Sequence, residues 1–293
     1  YGSDGEVLPL ILSSSPVEKS LSGRVGEART FSVTTKVAEE DEELSYEWRV
    51  NGVPADCCSA EFDFVPAFVQ RGNCVVECVV QSGVSADVCK WTVAVNAELH
   101  VACGGGSANP DGSVERPFAS VSDACVAAIE GDTVLVGPGV YRGTLEGPSV
   151  TIEIRSTGGP DVTVLDAEGA GRCFLASQNP DVCLSGFTLR NGSMGYGGGA
   201  YGGIITNCVI SNCLATVGGG AYGALLCDCR IVCCGADSDG GGIADSFAER
   251  CVLSECLTAF GGGASYSELE NCLVIGNRAE AYFAYKSWNG GAG

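Results

Sequence analysis

Only one histidine and one methionine stand among 293 residues, with three tryptophans. A lone histidine (His100) leaves no paired imidazoles for a zinc centre. The cysteines do not supply the usual zinc spacings either: CDC at 227–229 and CC at 233–234 are not CxxC pairs. No CxxCH segment offers covalent attachment of haem. Cationic side chains are also scarce. Lys+Arg total 16 against 36 Asp+Glu, a formal net charge of −20. That balance argues against nucleic acid, whose binding rests on cations meeting phosphates, and against an anionic membrane surface. It suits a soluble, self-repelling surface, with divalent-cation binding as the sharper reading. No run of about 18 apolar residues is present, so no segment is suited to cross a bilayer as a helix. The apolar stretch VLPLILSSS (7–15) is too short, and lacks the basic flank, for an intact signal peptide.

Glycine and cysteine are abundant, at 43 and 18 residues, and 45% of the chain is hydrophobic. Such a chain can bury a core, and its cysteine content points to an oxidising compartment. The expectation is therefore a secreted or bacterial cell-surface protein. The glycines and cysteines also repeat. GGGAYGGIITNCVISNC begins at Gly197, GGGAYGALLCDCRIVCC at Gly218, GGGIADSFAERCVLSEC at Gly240 and GGGASYSELENCLVIGN at Gly261. The third glycines (Gly199, Gly220, Gly242, Gly263) each precede a cysteine (Cys208, Cys229, Cys251, Cys272) by nine residues, and those cysteines are 21, 22 and 21 residues apart. A fixed period of this length means a solenoid of stacked coils.

The period assigns interior columns. One is Phe187, Cys208, Cys229, Cys251, Cys272; a second is Leu189, Ile210, Ile231, Leu253, Val274; a third, beyond a turn, is Cys213, Cys234, Cys256, Asn277. Residues between them, such as Arg230 and Ser254, are expected to face solvent. The triplets read as turns between faces, where glycine accepts a left-handed backbone and lets coils approach closely. A phosphate cradle would need GK[ST] or a helix after the glycines, and a calcium-binding nonapeptide period is absent. The segment ADSDGGG (236–242) is left as a single candidate for Ca²⁺; otherwise no cofactor is expected. Coils stacked about 4.8 Å apart fall within the roughly 4.4–6.8 Å Cα window of a disulfide. Cys208 with Cys229, Cys251 with Cys272, and Cys213 with Cys234 are thus candidate pairs, with a ladder of buried thiols as the alternative.

The first part of the chain, 1–97, alternates with period 2. RTFSVTT (29–35), LSYEWRV (44–50), EFDFV (61–65), NCVVECVV (73–80) and VCKWTVAV (88–95) read as strands of a β-sandwich. Trp48 in YEWRVNG, Cys78 and the closing WTVAV strand resemble immunoglobulin-like or PKD-like modules. No cysteine in RTFSVTT can pair with Cys78 across the sandwich. Folding the hairpin about 82–85 sets Cys78 opposite Cys89 instead, a further candidate disulfide. The acidic run EEDEE (39–43) reads as a solvated loop.

Residues 98–293 form the second part. His100-Val-Ala-Cys-Gly-Gly-Gly, the loop SANPDGSVERPF, then ASVSDACVAAIEGDTVLVGPGVYRG, together with LSGFTLRNG (184–192), resemble right-handed parallel β-helix proteins of the pectin-lyase-like superfamily. The cap helix is placed at about 120–130, with Ser120 as N-cap, Val121, Cys125, Ala128 and Ile129 on one face, and Gly131 as its stop. The Cys/Gly repeats then run from 187 to 293. The GGGA and GGGI turns are similar to repeats of bacterial polymorphic outer-membrane proteins, although the accompanying FxxN motif is missing.

The fold class is therefore all-β: an immunoglobulin-like sandwich followed by a capped parallel β-helix. The resemblance implies a polysaccharide lyase or hydrolase as one reading, which needs aspartates on neighbouring coils with a histidine or basic residue nearby. Asp166 and Asp181, with Arg155, Arg172 and Arg190, are the candidates, but no aspartate column continues through the Gly-triplet coils. The preferred expectation is a non-catalytic extracellular or cell-surface structural protein: an adhesin, or a self-assembling fibre or matrix subunit. A carbohydrate-binding module is a further alternative. For that, Tyr196, Tyr201, Tyr222 and Tyr266, near the glycine turns, would supply an outer aromatic stripe. Self-association is expected through the segment after Asn277, with Tyr282, Phe283, Tyr285 and Trp288 in the contact; the alternative is that the chain is a fragment of a longer solenoid.

Overall fold

The computed structural model describes residues 10–35, 43–83, 85–105 and 108–280. Within it the chain divides between Ala97 and Glu98 into two compact units.

Alternation in the first unit produces two sheets. One holds Ile11–Ser15, Arg29–Thr35 and Glu61–Phe64; the other holds Ser20–Arg24, Ser85–Asn96, Gly72–Ser82, Ser45–Val50 and Val53–Pro54 in that order. Inward residues of both sheets, including Phe31, Val33, Trp48, Phe64, Val76, Trp91 and Val93, form one buried cluster, so the unit is a β-sandwich. Trp48 and Trp91 stack at 5.9 Å, and each buried indole N–H finds a carbonyl: Trp48 donates to Ser59 at 2.9 Å and Trp91 to Pro16 at 2.8 Å. Cys78 lies directly opposite Cys89 in the antiparallel ladder. Of the EEDEE run, residues 39–42 lie outside the described residues.

The second unit is a right-handed parallel β-helix of about seven coils. Its coils build four parallel sheets of eight, seven, six and five strands. The coil that opens with Ile204–Thr206 is typical: it continues through Val209–Ser211, Leu214–Val217 and Ala221–Tyr222. Each strand pairs in parallel with its equivalent in the next coil, as Ile204 with Leu225, Val209 with Arg230 and Ala221 with Ile243. A left-handed residue turns the chain at every corner of this coil: Asn207, Asn212, Gly218 and Gly223, with φ of 49°, 51°, 66° and 63°. Asparagine and glycine adopt that conformation more readily than other residues.

Each glycine triplet therefore has two jobs. Gly218 supplies the left-handed corner, whereas Gly219 is needed for space. A Cβ on Gly219 would lie 2.2 Å from the Gly235 carbonyl oxygen and 2.5 Å from that of Gly241. Only a residue without a side chain lets the coils stack there.

The helix over the first coil is shorter than expected. It runs Val121–Ala127, with Ser120 accepting from the Asp123 amide, and Ala128 is already extended. Ala128, Ile129 and Gly131 are not in it. The side chain of Asp132 accepts from the Ile129 amide at 3.0 Å, and the Asp132 amide donates back to the Ile129 carbonyl. That tight turn competes with another helical turn and wins. Val121, Ala124 and Cys125 are buried against the strands Glu98–Val101, Thr133–Val136 and Leu145–Glu146.

The columns assigned from the period are interior except in the last described coil, where Cys272 and Asn277 are half-buried and Val274 is exposed. Phe187, Cys208, Cys229 and Cys251 are buried, as are Leu189, Ile210, Ile231 and Leu253, and Cys213, Cys234 and Cys256. The thiols do more than fill space. The Phe187, Cys229 and Cys251 amides donate to the sulfurs of Cys208, Cys251 and Cys272 one coil on, at 3.3–3.4 Å. Sulfur also donates backward, from Cys229 to the Ile205 carbonyl and from Cys272 to that of Ala248, both at 3.3 Å. Asn277 closes the third column with the same two bonds. Its Oδ1 accepts from the Cys256 amide at 2.9 Å and its Nδ2 donates to the Leu253 carbonyl at 2.8 Å.

All eighteen cysteines are free thiols here, including the candidate pairs Cys78 and Cys89, Cys208 and Cys229, Cys251 and Cys272, and Cys213 and Cys234. In-register stacking keeps equivalent Cβ atoms about 4.8 Å apart, whereas a disulfide draws them to about 3.5–4.5 Å.

If the corner selects a small group that both donates and accepts, Asn277→Cys leaves stability nearly unchanged. Asn277→Ala leaves two backbone groups without partners and costs about 1–3 kcal/mol. Urea unfolding of the two variants beside the parent measures the difference; equal losses would show that the hydrogen bonds do not matter.

Candidate binding face: an aromatic ledge across the coils

The expected acids do not converge. Asp166 ends the strand Thr163–Asp166 of the seven-stranded sheet, in register with Arg142 on one side and Arg190 on the other. It is buried, and it accepts from Arg190 Nε at 2.8 Å, Asn191 Nδ2 at 2.9 Å and the Glu168 amide at 3.0 Å. Burial works against its charge, but the bonds from Asn191, Arg190 and Glu168 outweigh it and hold the carboxyl below its ordinary value. Asp181 is exposed and lies in the turn before the strand Cys183–Ser185 of the eight-stranded sheet, where its amide donates to Asn179 Oδ1 at 2.9 Å. Arg155 faces Glu98 and Glu153 at 3.8 and 4.0 Å. His100 is a half-buried residue of the strand Glu98–Val101, paired with Leu135. Among the described residues no group of three or more His, Cys, Asp or Glu is arranged to hold a metal ion.

The tyrosines do converge, and Arg172 joins them. Tyr201 and Tyr222 are in-register neighbours in the six-stranded sheet and stack with centroids 5.4 Å apart. Tyr196, in the adjacent five-stranded sheet, meets the Tyr222 ring edge-on at 5.1 Å. The Arg172 guanidinium lies 4.9 Å over the Tyr201 ring and donates to the Tyr196 carbonyl at 3.0 Å. Burial pushes the Arg172 pKa down, with Tyr201 opposing. Arg142, Arg190 and Arg250 rest on carboxylates; Arg172 rests on aromatic rings.

The same face continues down the coils. Tyr196, Val217, Asp239 and Phe260 form one ladder, and Tyr201, Tyr222, Ala244 and Ser265 a second. Between the ladders run the glycine triplets, which place no side chain there. Asp245 and Tyr266 occupy the left-handed corner after the second ladder. Tyr196 is 51% exposed, Phe260 65% and Tyr266 86%. Asp239 and Asp245 have no ion-pair partner among the described residues; Asp239 accepts from the Ser238 hydroxyl, and Asp245 lies against the Tyr222 phenol. Burial, then the Asp245 carboxylate, raise the Tyr222 pKa.

The sequence pattern picked out the tyrosines, and Asp239 only within the ADSDGGG candidate for Ca²⁺, but missed Asp245 and Phe260. The signal was available: positions 196, 217, 239 and 260 repeat at the same 21, 22 and 21 residues as the cysteines. Of ADSDGGG, Gly235–Asp239 is a strand whose register with its neighbours shifts, which aims Asp239 onto this face.

No family model matches the sequence, and no curated protein matches it. Among solved structures the chain is similar to the Family 28 exopolygalacturonase of Yersinia enterocolitica. The identity is 8% over 85% of this chain and 67% of that one, with a TM-score of 0.31. So slight a likeness transfers no activity to this chain.

Two expectations follow. The Asp166 carboxyl titrates lower in the folded chain, so its stabilisation is complete above the ordinary carboxylate value of about 3.9 and is lost as pH falls through the depressed folded value. Asp166→Asn should therefore cost about 1–2 kcal/mol at neutral pH, and the gap to the parent should close on acidification, as followed by urea unfolding across pH. On the ledge, burial, then Asp245, then Tyr201 and Tyr196 raise Tyr222, and Asp245→Asn removes the second of these. Phenolate absorbance should then show that ring ionising at lower pH than in the parent.

Proposed function

We propose that this chain is a non-catalytic structural or adhesive protein of the cell surface or extracellular matrix, with the tyrosine and arginine ledge as its contact face. The observation that carries the reading is the engagement of Asp166. A carboxylate held by an arginine, an asparagine and a backbone amide is committed to the fold and is poorly placed to exchange a proton with substrate. Asp181 belongs to a different sheet's approach turn and does not complete a pair with it. What the coils offer instead is a rigid surface on which identical positions recur every coil, the kind of face that solenoids present to large partners. Exposed aromatic rings on that face are the usual anchors of such contacts.

Secretion or surface display belongs to the same proposal, supported by the charge of −20 and the cysteine-rich composition. So does self-association through Tyr282, Phe283, Tyr285 and Trp288, residues that lie outside those described. The second reading is a polysaccharide-active enzyme centred on Asp166 and Asp181.

The full chain incubated with pectin, polygalacturonate and alginate separates the two. We expect no release of reducing ends or unsaturated products above the buffer rate. Turnover that disappears in Asp166→Asn or Asp181→Asn would replace the scaffold with the enzyme. Immunolabelling of intact source cells tests display, and a purely internal signal would remove the surface assignment.

A further inference from the structure

We infer that the ledge is a docking surface for an arginine-bearing segment of a basic partner protein. The inference rests on the proposed role as a contact surface and names the chemistry of what is contacted.

Three observations converge on it. First, the face already holds a guanidinium. The Arg172 guanidinium sits over Tyr201 with its central carbon 4.9 Å from the ring centre, and it donates to the Tyr196 carbonyl. The ring cluster thus already accommodates one guanidinium, a cation that suits the negative face of an aromatic ring and needs less desolvation than an ammonium. Second, further rings remain open. Tyr196, Phe260 and Tyr266 are each more than half exposed. Exposed aromatics at this density, spaced by the coil repeat, are unusual on a surface facing only water. Third, two carboxylates without ion-pair partners among the described residues stand in the coil between those rings. Asp239 follows Tyr196 and Val217 and precedes Phe260 in one ladder; Asp245 precedes Tyr266 at the corner.

An incoming arginine could stack on a ring of the face and reach a carboxylate one coil away, since coils are about 4.8 Å apart. The repeat would let an extended segment place successive side chains along the solenoid axis. Charge selects the same class of partner. A chain of net charge −20 draws a basic partner to its surface. Because a surface so acidic will attract any polycation, the discriminating feature is the preference for guanidinium over ammonium, which only stacking provides.

The test uses the full chain and homopeptides of arginine and of lysine of equal length, titrated at about 0.15 M salt. The parent should bind the arginine peptide more tightly than the lysine peptide. The paired substitution Tyr196→Ala and Phe260→Ala, which leaves the charge unchanged, should weaken arginine binding roughly three- to tenfold and erase the preference. Leu225→Ala, which removes an exposed side chain from the eight-stranded sheet, should change neither. Thermal melting of each variant confirms that it is folded.

Equal binding of both peptides, insensitive to the aromatic substitutions, would overturn the inference and leave net charge as the whole attraction. Binding of a neutral oligosaccharide that the same substitutions abolish, without an arginine preference, would also overturn it and make the ledge a sugar platform. Neither result bears on whether the chain turns over polysaccharide or is displayed at a surface, so the scaffold reading fails or survives on its own assays.

Discussion

The β-helix depends on one constraint: each coil must hydrogen-bond to the next strand for strand, with the register shift at Gly235–Asp239 confined to one face. Parallel pairing at a fixed spacing permits that only if the backbone can turn sharply at four corners and if nothing projects where coils are closest. The first demand puts asparagine or glycine at Asn207, Asn212, Gly218 and Gly223. The second puts glycine at Gly219, where a Cβ would enter the carbonyl of the next coil. Where the corners are instead taken by Arg250, Glu255 and Tyr266, the left-handed backbone persists because pairing on both sides leaves no alternative.

Stacking also explains the cysteines. A corner buried between coils leaves amide and carbonyl groups that the sheets do not use, and these need a compact partner. A thiol accepts from the amide of one coil and donates to a carbonyl, while occupying little more room than a methyl group. Asn277 meets the same requirement with stronger bonds, and Ser246 and Ser267 do so at another corner, where the Ala224 and Ser246 amides donate to their hydroxyls at 3.2 Å. The architecture by itself thus accounts for much of the cysteine content.

The outside of the solenoid obeys the same periodicity for a different reason. Because equivalent positions sit one coil apart, any two residues separated by one repeat become neighbours, whatever their chemistry. Aromatic rings at successive equivalents therefore stack, as Tyr201 and Tyr222 do, and an arginine placed beside the first of them finds a ring face instead of a carboxylate. Asp166 shows the converse. One coil away it meets Arg190, and its charge is spent on holding adjacent coils together. A single arrangement of the chain makes one acidic residue structural and leaves Asp239 and Asp245 available.

The period of 21 and 22 residues, most of the interior columns, the glycine-triplet turns and five strands of the sandwich were legible in the sequence, because burial and chain reversal constrain residue type directly; the sandwich strands Ile11–Ser15, Ser20–Arg24 and Val53–Pro54 and the corners at Asn207, Asn212 and Gly223 were not. Phe187, Leu189 and the column cysteines had to be apolar or small wherever the coil repeated. The end of the helix at Ala127 was not legible, since it depends on Asp132 turning back to Ile129. Nor was the pairing state of the cysteines, which turns on differences of less than about an ångström between the Cβ separation in stacked coils and that in a disulfide. The number of faces also came only from the fold: the columns around Leu184, Ile205 and Leu226, and around Ala200, Ala221 and Ile243, carry no cysteine to mark them. Least legible was the ledge. Tyr196 and Asp239 lie two coils apart in sequence and in one ladder in space. Periodicity can list such positions, but only the twist and corner geometry of the folded coils decide which of them share a face.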